Sequence, residues 1–384
     1  RVCYPLGSGT NGGGEGQAAA HCATSRTATN WGERMAVQGV ASERQRTAVT
    51  VIMPVRNEAK HIEQAVRAVL ANSGAGQRFD LQVLVVDGMS DDGTREIVTR
   101  LAAEFPQVTL LDNPQATVPF ALNAGLRRAC GEIIIRVDGH AFVAPDFIAN
   151  ALSELERRPE CDCVGGSIDN IDENDTARAV SLAMSSPFGV GNATFRTGGE
   201  GYVDTLAFGA YRREVFDRIG EFDETLTRNQ DDEFNYRLTK AGGKIWLSPR
   251  IRSRYVVRSS FPKLFRQYRQ YGYWKVYVNR KHGAVTNLRQ LVPAAFVATV
   301  VLLALLALAV PAARLLLAAV LLLYLTGALV AGAAKVGSGI SLLPRVMLAF
   351  ATMHVGYGLG YLEGLYRFML LGERPGVRNV ELSR

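Results

Sequence analysis

Cysteine is scarce in this chain. Of 384 residues only five are cysteine: Cys3, Cys22, Cys130, Cys161 and Cys163. Cys161-Asp162-Cys163 is not a Cys-x-x-Cys pair, and no second pair completes a zinc site. A chain this large has no need of a disulfide framework, so the cysteines read as free thiols in a reducing compartment. Zinc-finger and RNA-recognition signatures are also missing, which sets nucleic acid polymers aside as partners. The N-terminal segment lacks the apolar core of a signal peptide. Residues 1–47 are rich in Gly, Ala, Ser and Thr. A run such as Asn11-Gly12-Gly13-Gly14 cannot build a core, so disorder is expected there. The chain begins with Arg1. Met35 is an in-frame candidate start, and residues 1–34 read as upstream or weakly structured sequence.

What is present is basic and unevenly apolar. The net charge is +7 and the sequence pI about 9.2. With nucleic acid set aside, that excess fits an anionic membrane face or phosphorylated substrates. The hydrophobic fraction is an ordinary 48%, but residues 291–371 are far more apolar than the rest.

Strands and helices alternate along the first part. Ala48–Val55 reads as a buried strand, followed by a helix over Glu58–Ala71 with Ile62, Ala65, Val66, Val69 and Leu70 on one face. Leu81–Asp87 is a second strand, ending in Asp87-Gly88, which alone reads as a turn. A helix over 94–104, a strand over Val108–Leu111, a helix over Pro119–Arg128 and a strand over Ile133–Val137 continue the pattern. That alternation predicts right-handed βαβ units and a mostly parallel sheet. The strand at 133–137 runs into Asp138-Gly139-His140, two potential metal ligands at a carboxyl strand end, where open α/β sheets bind ligands. Such a pair suits a divalent cation holding a diphosphate. A helix over Ala144–Arg157 follows. Residues 167–205 read as irregular, then come a strand at Leu206–Tyr211, helices at 213–218 and 231–241, and a strand at Lys244–Leu247.

The C-terminal third reads as membrane-associated. Phe261–Arg280 interleaves aromatic and basic residues, as in a helix lying in a membrane interface. Val292–Val310 and Leu315–Ala334 are each long enough to cross a ~30 Å hydrocarbon core, and Pro311–Arg314 turns them into a hairpin. A third segment, Val346–Leu371, carries His354, Glu363 and Arg367 and reads either as a third span or as a re-entrant or interfacial helix. Its glycines at 356, 360 and 364 favour close helix packing. The positive-inside rule puts the basic region before the hairpin, with Lys335 and Arg345, in the cytoplasm; Arg374 and Arg378 would then oppose the rule if the third segment spans. The expected organisation is a disordered 1–47, a catalytic domain at 48–258, an interfacial segment at 259–288, a membrane region at 289–371 and a tail at 372–384.

Four ordered motifs carry a family resemblance. They are Thr50–Glu58, Val85–Thr94, Ala121-Leu122-Asn123-Ala124-Gly125 and Val137–His140, joined by Asn229-Gln230-Asp231-Asp232-Glu233. Together they resemble the inverting family 2 glycosyltransferases. Phe188–Ala193, Tyr202-Val203-Asp204-Thr205 and Tyr271-Gly272-Tyr273-Trp274 are similar to bacterial succinoglycan and exopolysaccharide glucosyltransferases. The resemblance implies a GT-A, Rossmann-like α/β domain followed by transmembrane helices. It implies a UDP-sugar donor, with glucose as the sugar, and a polyprenyl-diphosphate-linked saccharide acceptor at the cytoplasmic face of a bacterial inner membrane. Polysaccharide assembly proteins would be neighbours.

Residue by residue, the resemblance implies the following. Pro54, Val55, Arg56 and Glu58 wrap the base and ribose. Asp87 accepts the imide N–H of uracil, and Asp138 contacts the ribose and the metal. His140 stands where a second acid is usual; imidazole binds Mn²⁺ readily and suits Mg²⁺ less. Asp231 is the general base, with Asp232 the alternative because Gln230 replaces the usual first Glu; an acidic first turn also suits the helix dipole. Gln267–Tyr271 departs from the processive Gln-x-x-Arg-Trp pattern, and Arg269 is a candidate acceptor contact or a snorkelling charge. Two other classes are weighed: a catalytically inactive nucleotide-sugar-binding scaffold of an export complex, and a nucleotidyltransferase, which would need a Gly-rich, Arg-bearing loop where Arg56-Asn57-Glu58-Ala59-Lys60 stands.

Overall fold

The computed structural model describes residues 46–375, apart from 192, 287 and 338. The expectations for residues 1–34, Met35 and Arg378 lie outside the described residues.

The chain opens with β1 (Thr47–Val55), α1 (Ile62–Leu70), β2 (Phe79–Asp87), α2 (Thr94–Glu104), β3 (Val108–Asp112), α3 (Val118–Arg128) and β4 (Ile133–Arg136). Next come β5 (Ala141–Val143), α4 (Phe147–Arg157), β6 (Cys163–Ile171), α5 (Asp175–Met184), α6 (Pro187–Val190) and α7 (Thr194–Thr197). The rest of the sheet and its cover are β7 (Gly201–Tyr202), β8 (Ala210–Arg212), α8 (Glu214–Ile219), α9 (Gln230–Lys240) and β9 (Ile245–Val256). Four long helices close the chain: α10 (Phe261–His282), α11 (Val292–Leu306), α12 (Pro311–Val336) and α13 (Leu343–Gly364).

The strand order is β3-β2-β1-β4-β8-β6-β9-β5, with β7 paired to β9. β3, β2, β1 and β4 are parallel. The chain moves outward from β1 to β3 and then returns to the other side of β1 for β4. That reversal opens a crevice beyond the carboxyl ends of β1 and β4, where α/β sheets take ligands. The second half differs from the expected mostly parallel sheet: β8 is antiparallel to both β4 and β6, and β5 and β7 are antiparallel to β9.

The two faces follow the period-two alternation of β1. Val49, Val51, Met53 and Val55 point into a core shared with α1 and α4. Ile52 points to the other face, packed with α3 and α9. Between Val55 and α1, residues 56–61 form a loop rather than the expected first helical turn. Asn57 has a positive φ of 55° there, and its side chain and backbone bind the 90–91 loop, at 2.8 Å to Ser90 Oγ and 3.1 Å from Asp91 N.

Residues 163–184, largely read as irregular, form β6 and α5. Gly166 disguised the strand. It lies at a register shift against β9, where a Cβ would sit 1.5 Å from Ile251 O, so this glycine marks a close backbone approach inside a sheet. Helix α5 is capped by Asn174, whose side chain accepts the Ala177 N–H at 2.8 Å.

Three helical segments are long and apolar enough to cross a membrane: 288–306, 311–336 and 340–370. The expected hairpin turn at Pro311–Arg314 lies four residues earlier: α11 ends at Leu306, residues 307–310 make the turn, and Pro311 already begins α12, where its missing N–H costs no helical bond. Helix α13 lies against α10 along its glycine stripe. A Cβ on Gly360 would fall 1.9 Å from Arg269 O, and one on Gly272 would fall 2.0 Å from Tyr357 O. The glycines thus pack the third apolar segment against the aromatic, basic helix, and α10 buries Trp274, Lys275 and Val278 instead of lying free.

Candidate active site

A cavity of about 1310 Å³ starts at the carboxyl ends of β1 and β2 and extends to α11, α12 and α13. Pro54, Val55, Arg56 and Glu58 line one end; Phe296, Tyr324 and His354 line the other. Asp138, His140, Asp231 and Asp232 stand along it. The fold therefore brings together every nominated residue except Asp87 and Arg269.

Asp87 has another job. Its side chain is completely buried, accepting Ser90 N at 3.0 Å, Ser90 Oγ at 2.5 Å and Arg95 Nη1 at 2.7 Å. It fastens the 88–93 loop that forms the rim and does not present its carboxylate to the cavity. Arg269 lies outside the cavity, paired with Glu363 of α13 at 2.7 Å. Glu58 lines the cavity, but its carboxylate is 2.7 Å from His140 Nδ1.

The centre of the site is a residue that sequence reasoning missed. Arg136, the last residue of β4, ion-pairs with Asp138 at 2.8 Å and with Asp231. One buried guanidinium thus joins the turn after β4 to the first turn of α9. Arg136 read only as a strand residue, because its partner lies 95 positions away; the signal on offer was a charge inside an otherwise apolar strand. Burial disfavours the Asp138 carboxylate, yet Arg136 and His140 outweigh it and hold the carboxyl below its usual range. For Asp231 burial wins: with Asp138 and Asp232 adding repulsion, its carboxyl is raised despite Arg136. The imidazole of His140 is raised too. Burial opposes the charge, while Tyr255, the Glu58 carboxylate and Asp138 favour it.

The Asp138-Gly139-His140 turn is pressed onto β1. A Cβ on Gly139 would meet Val55 Cγ1 at 2.8 Å, so only glycine lets the turn seat against the strand end. These residues suit a divalent cation. Glu58 takes Nδ1 of His140, which leaves Nε2 as the ring nitrogen that could meet a cation, with Tyr255 close against the ring. A carboxylate behind a ligating imidazole is the usual supporting arrangement. The described residues hold no cluster of three or more His, Cys, Asp or Glu side chains that would form a complete protein cage. A cation here would need phosphate and water oxygens as well, as Mg²⁺-type sites do.

Asp231 and Asp232 are separated by their partners. Asp231 turns to Arg136, whereas Asp232 pairs with Lys275 of α10, whose side chain is 2% exposed. Further links run from α9 and the segment before it to α10. Arg228 Nε reaches Gln270 Oε1 at 3.1 Å, Asn229 Nδ2 reaches Tyr271 O at 2.9 Å, and Lys281 Nζ reaches Glu233 at 2.9 Å. The helix that carries Asp231 is therefore held by the helix that packs on α13.

Comparison with known proteins agrees with this geometry. The model of glycosyl transferase family 2 matches residues 50–220. The succinoglycan biosynthesis protein ExoA of Rhizobium meliloti (strain 1021) is 33% identical over 252 residues, covering 65% of this chain and 75% of that protein. The chain belongs to glycosyl transferase family 2. This glycosyltransferase is also 29% identical to the dolichyl N-acetyl-alpha-D-glucosaminyl phosphate 3-beta-D-2,3-diacetamido-2,3-dideoxy-beta-D-glucuronosyltransferase of Methanococcus voltae, over 61% of this chain and 74% of that one. Among solved structures, the mannosyltransferase PcManGT from Pyrobaculum calidifontis, in complex with GDP-Man and Mn²⁺, aligns with a TM-score of 0.52 at 23% identity. That alignment covers 85% of the glycosyltransferase described here and 89% of PcManGT, a likeness of fold that extends into the C-terminal helices. The GT-A expectation holds, and the chain is a transferase related to exopolysaccharide-synthesis proteins.

Proposed function

We propose that this glycosyltransferase is anchored in the bacterial cytoplasmic membrane. Its catalytic domain, residues 48–258, faces the cytoplasm, and residues 259–288 and 289–371 form the interfacial and membrane regions. It moves a sugar, with glucose as the first expectation, from a UDP-sugar to a polyprenyl-diphosphate-linked saccharide. The observation that carries this reading is the single cavity in which Arg136 joins Asp138 and Asp231 and which reaches the apolar helices.

Pro54, Val55, Arg56 and Glu58 bound the donor end, and Asp138 with His140 would hold Mn²⁺ or Mg²⁺ there. When bound, such a cation neutralises the departing diphosphate. Asp231 accepts the proton of the acceptor hydroxyl, which attacks the anomeric carbon in line and inverts it. Its raised carboxyl pKa makes it a stronger base than an exposed aspartate. Arg136 fixes the carboxylate beside the donor-side acid, so base and leaving group are held in one frame. Lys275 engages Asp232 and leaves Asp231 as the base.

A radiolabelled sugar-transfer assay on membranes, with a panel of UDP- and GDP-sugars, tests the reading. Labelled glycolipid from a UDP-sugar is expected, with Asp231→Asn losing about 10²–10⁴-fold in turnover while still binding donor. Near-normal turnover by Asp231→Asn would sink the base assignment; label from GDP-sugars alone would sink the donor assignment.

A further inference from the structure

Several polar atoms along this cavity are buried without a hydrogen-bond partner among the described residues, Nη1 of Arg196 among them, and three belong to the helical elements around Asp231. They are Oε1 of Gln230, Oε1 of Gln290 and the hydroxyl of Tyr357. Each comes from a different element: Gln230 begins α9, Gln290 lies in the turn before α11, and Tyr357 is on α13. All three residues line the same cavity as Asp231 and Asp232. Gln230 is only 6% exposed, and Tyr357 lies within electrostatic reach of Asp232 and Arg289. A buried polar atom left unpaired is costly, and native proteins rarely tolerate several together unless a ligand or water completes them.

The chemistry of the set selects the ligand. Two amide oxygens only accept hydrogen bonds, and a phenol both donates and accepts. Their complement is a molecule with several O–H donors whose oxygens also accept. A phosphate offers acceptors alone at neutral pH and leaves both amide oxygens unpaired. We propose that Gln230, Gln290 and Tyr357 form a saccharide-binding subsite that holds the acceptor sugar against Asp231, so that the acceptor atom is a sugar hydroxyl and not a lipid phosphate oxygen. The inference rests on the transferase reading above and names the residues that hold its saccharide acceptor. Because Tyr357 belongs to an apolar helix, the accepting sugar sits at the level of the membrane helices, close to its own lipid. The aromatic wall of Phe188, Phe296 and Tyr324 continues the cavity beyond it.

The test uses the full chain in detergent with the donor that labels membranes. Octyl β-glucoside, octyl β-galactoside and dodecyl β-maltoside are offered as acceptors beside phytanyl phosphate. Label is expected on at least one glycoside, in an acid-stable product, and not on phytanyl phosphate. Tyr357→Phe and Gln290→Leu should each raise the KM for that glycoside about threefold to tenfold, the worth of one neutral hydrogen bond, with the donor dissociation constant held within about twofold as measured by calorimetry. Transfer to phytanyl phosphate would overturn the inference. So would donor binding without transfer to any glycoside, or a wild-type glycoside KM in both variants. Absence of donor binding in the unmodified protein would instead overturn the donor-site reading, and this inference with it.

Discussion

Replacing Gly360 by alanine tests whether the membrane region governs the chemistry. The added Cβ would lie 1.9 Å from the carbonyl oxygen of Arg269 and 2.7 Å from its carbonyl carbon. Ordinary contact begins at 3.4 Å, so α10 and α13 must part by about 1.5 Å. The obstacle is backbone, which cannot rotate away as a side chain can. Overpacking of this kind costs about 1–3 kcal/mol, enough to lower the melting temperature of the detergent-solubilised enzyme by several degrees. Movement of α10 also carries Gln270, Tyr271 and Lys275, which hold the start of α9 and therefore Asp231. A misplacement near 1 Å costs on the order of 10²-fold in rate, so kcat should fall by about one to two powers of ten. Gly364→Ala, where the Cβ would meet Tyr273 O at 2.8 Å, and Gly356→Ala, at 3.0 Å from Phe265 O, should do less. Leu359→Ala, on the exposed face between them, is the control. The assays are a thermal melt and initial rates of sugar transfer on the same preparations. Wild-type melting and kcat in Gly360→Ala, or a larger effect from Leu359→Ala, would refute the coupling.

The remaining predictions concern charge. Asp138→Ala should weaken donor binding and the response to Mn²⁺; chelation should abolish turnover, with Mn²⁺ restoring it better than Mg²⁺ if His140 is a ligand, as a metal titration of initial rates would show. Because the Asp231 carboxyl is raised, transfer should decline as pH falls through an apparent pKa above the ordinary aspartate value of 3.8, where the base becomes protonated; a pH–rate profile that stays flat to that value would count against it. The Lys275–Asp232 pair should break unequally. Asp232→Ala leaves a 2% exposed ammonium unpaired, whereas Lys275→Met leaves a carboxylate that is 25% exposed. The first should therefore cost up to about 3–5 kcal/mol and the second clearly less, compared by thermal melts.

The parallel half of the sheet was legible because each strand there is dominated by apolar, largely β-branched residues and each helix has one apolar face. The mixed half was not. In β6, Gly165 and Gly166 look like loop residues until β9 is laid beside them, with Ile251 O where a Cβ would have to go. The cap at Asn174 was a local signal for α5 that went unread. In the site, Asp138, His140 and Asp231 could be nominated from motif order, since each follows a strand end or opens a helix. Arg136, Lys275, Gln290 and Tyr357 could not, because their relevance lies in partners or neighbours far along the chain. Asp87 shows what a motif leaves out: its position suggested a ligand contact, and the fold adds that Arg95, the second residue of α2, holds its carboxylate.

The sequence by itself determined the alternating strands and helices, the apolar lengths of the C-terminal segments and the residue types at the strand ends. Those are local properties, set by side-chain periodicity and turn chemistry. The tertiary structure alone set the two acids apart, by giving Arg136 to Asp231 and Lys275 to Asp232. It also decided that the glycines of α13 serve α10 and hence α9. Ion pairing and close helix packing depend on distances of a few ångströms between segments up to 95 residues apart, and only the folded chain sets those distances.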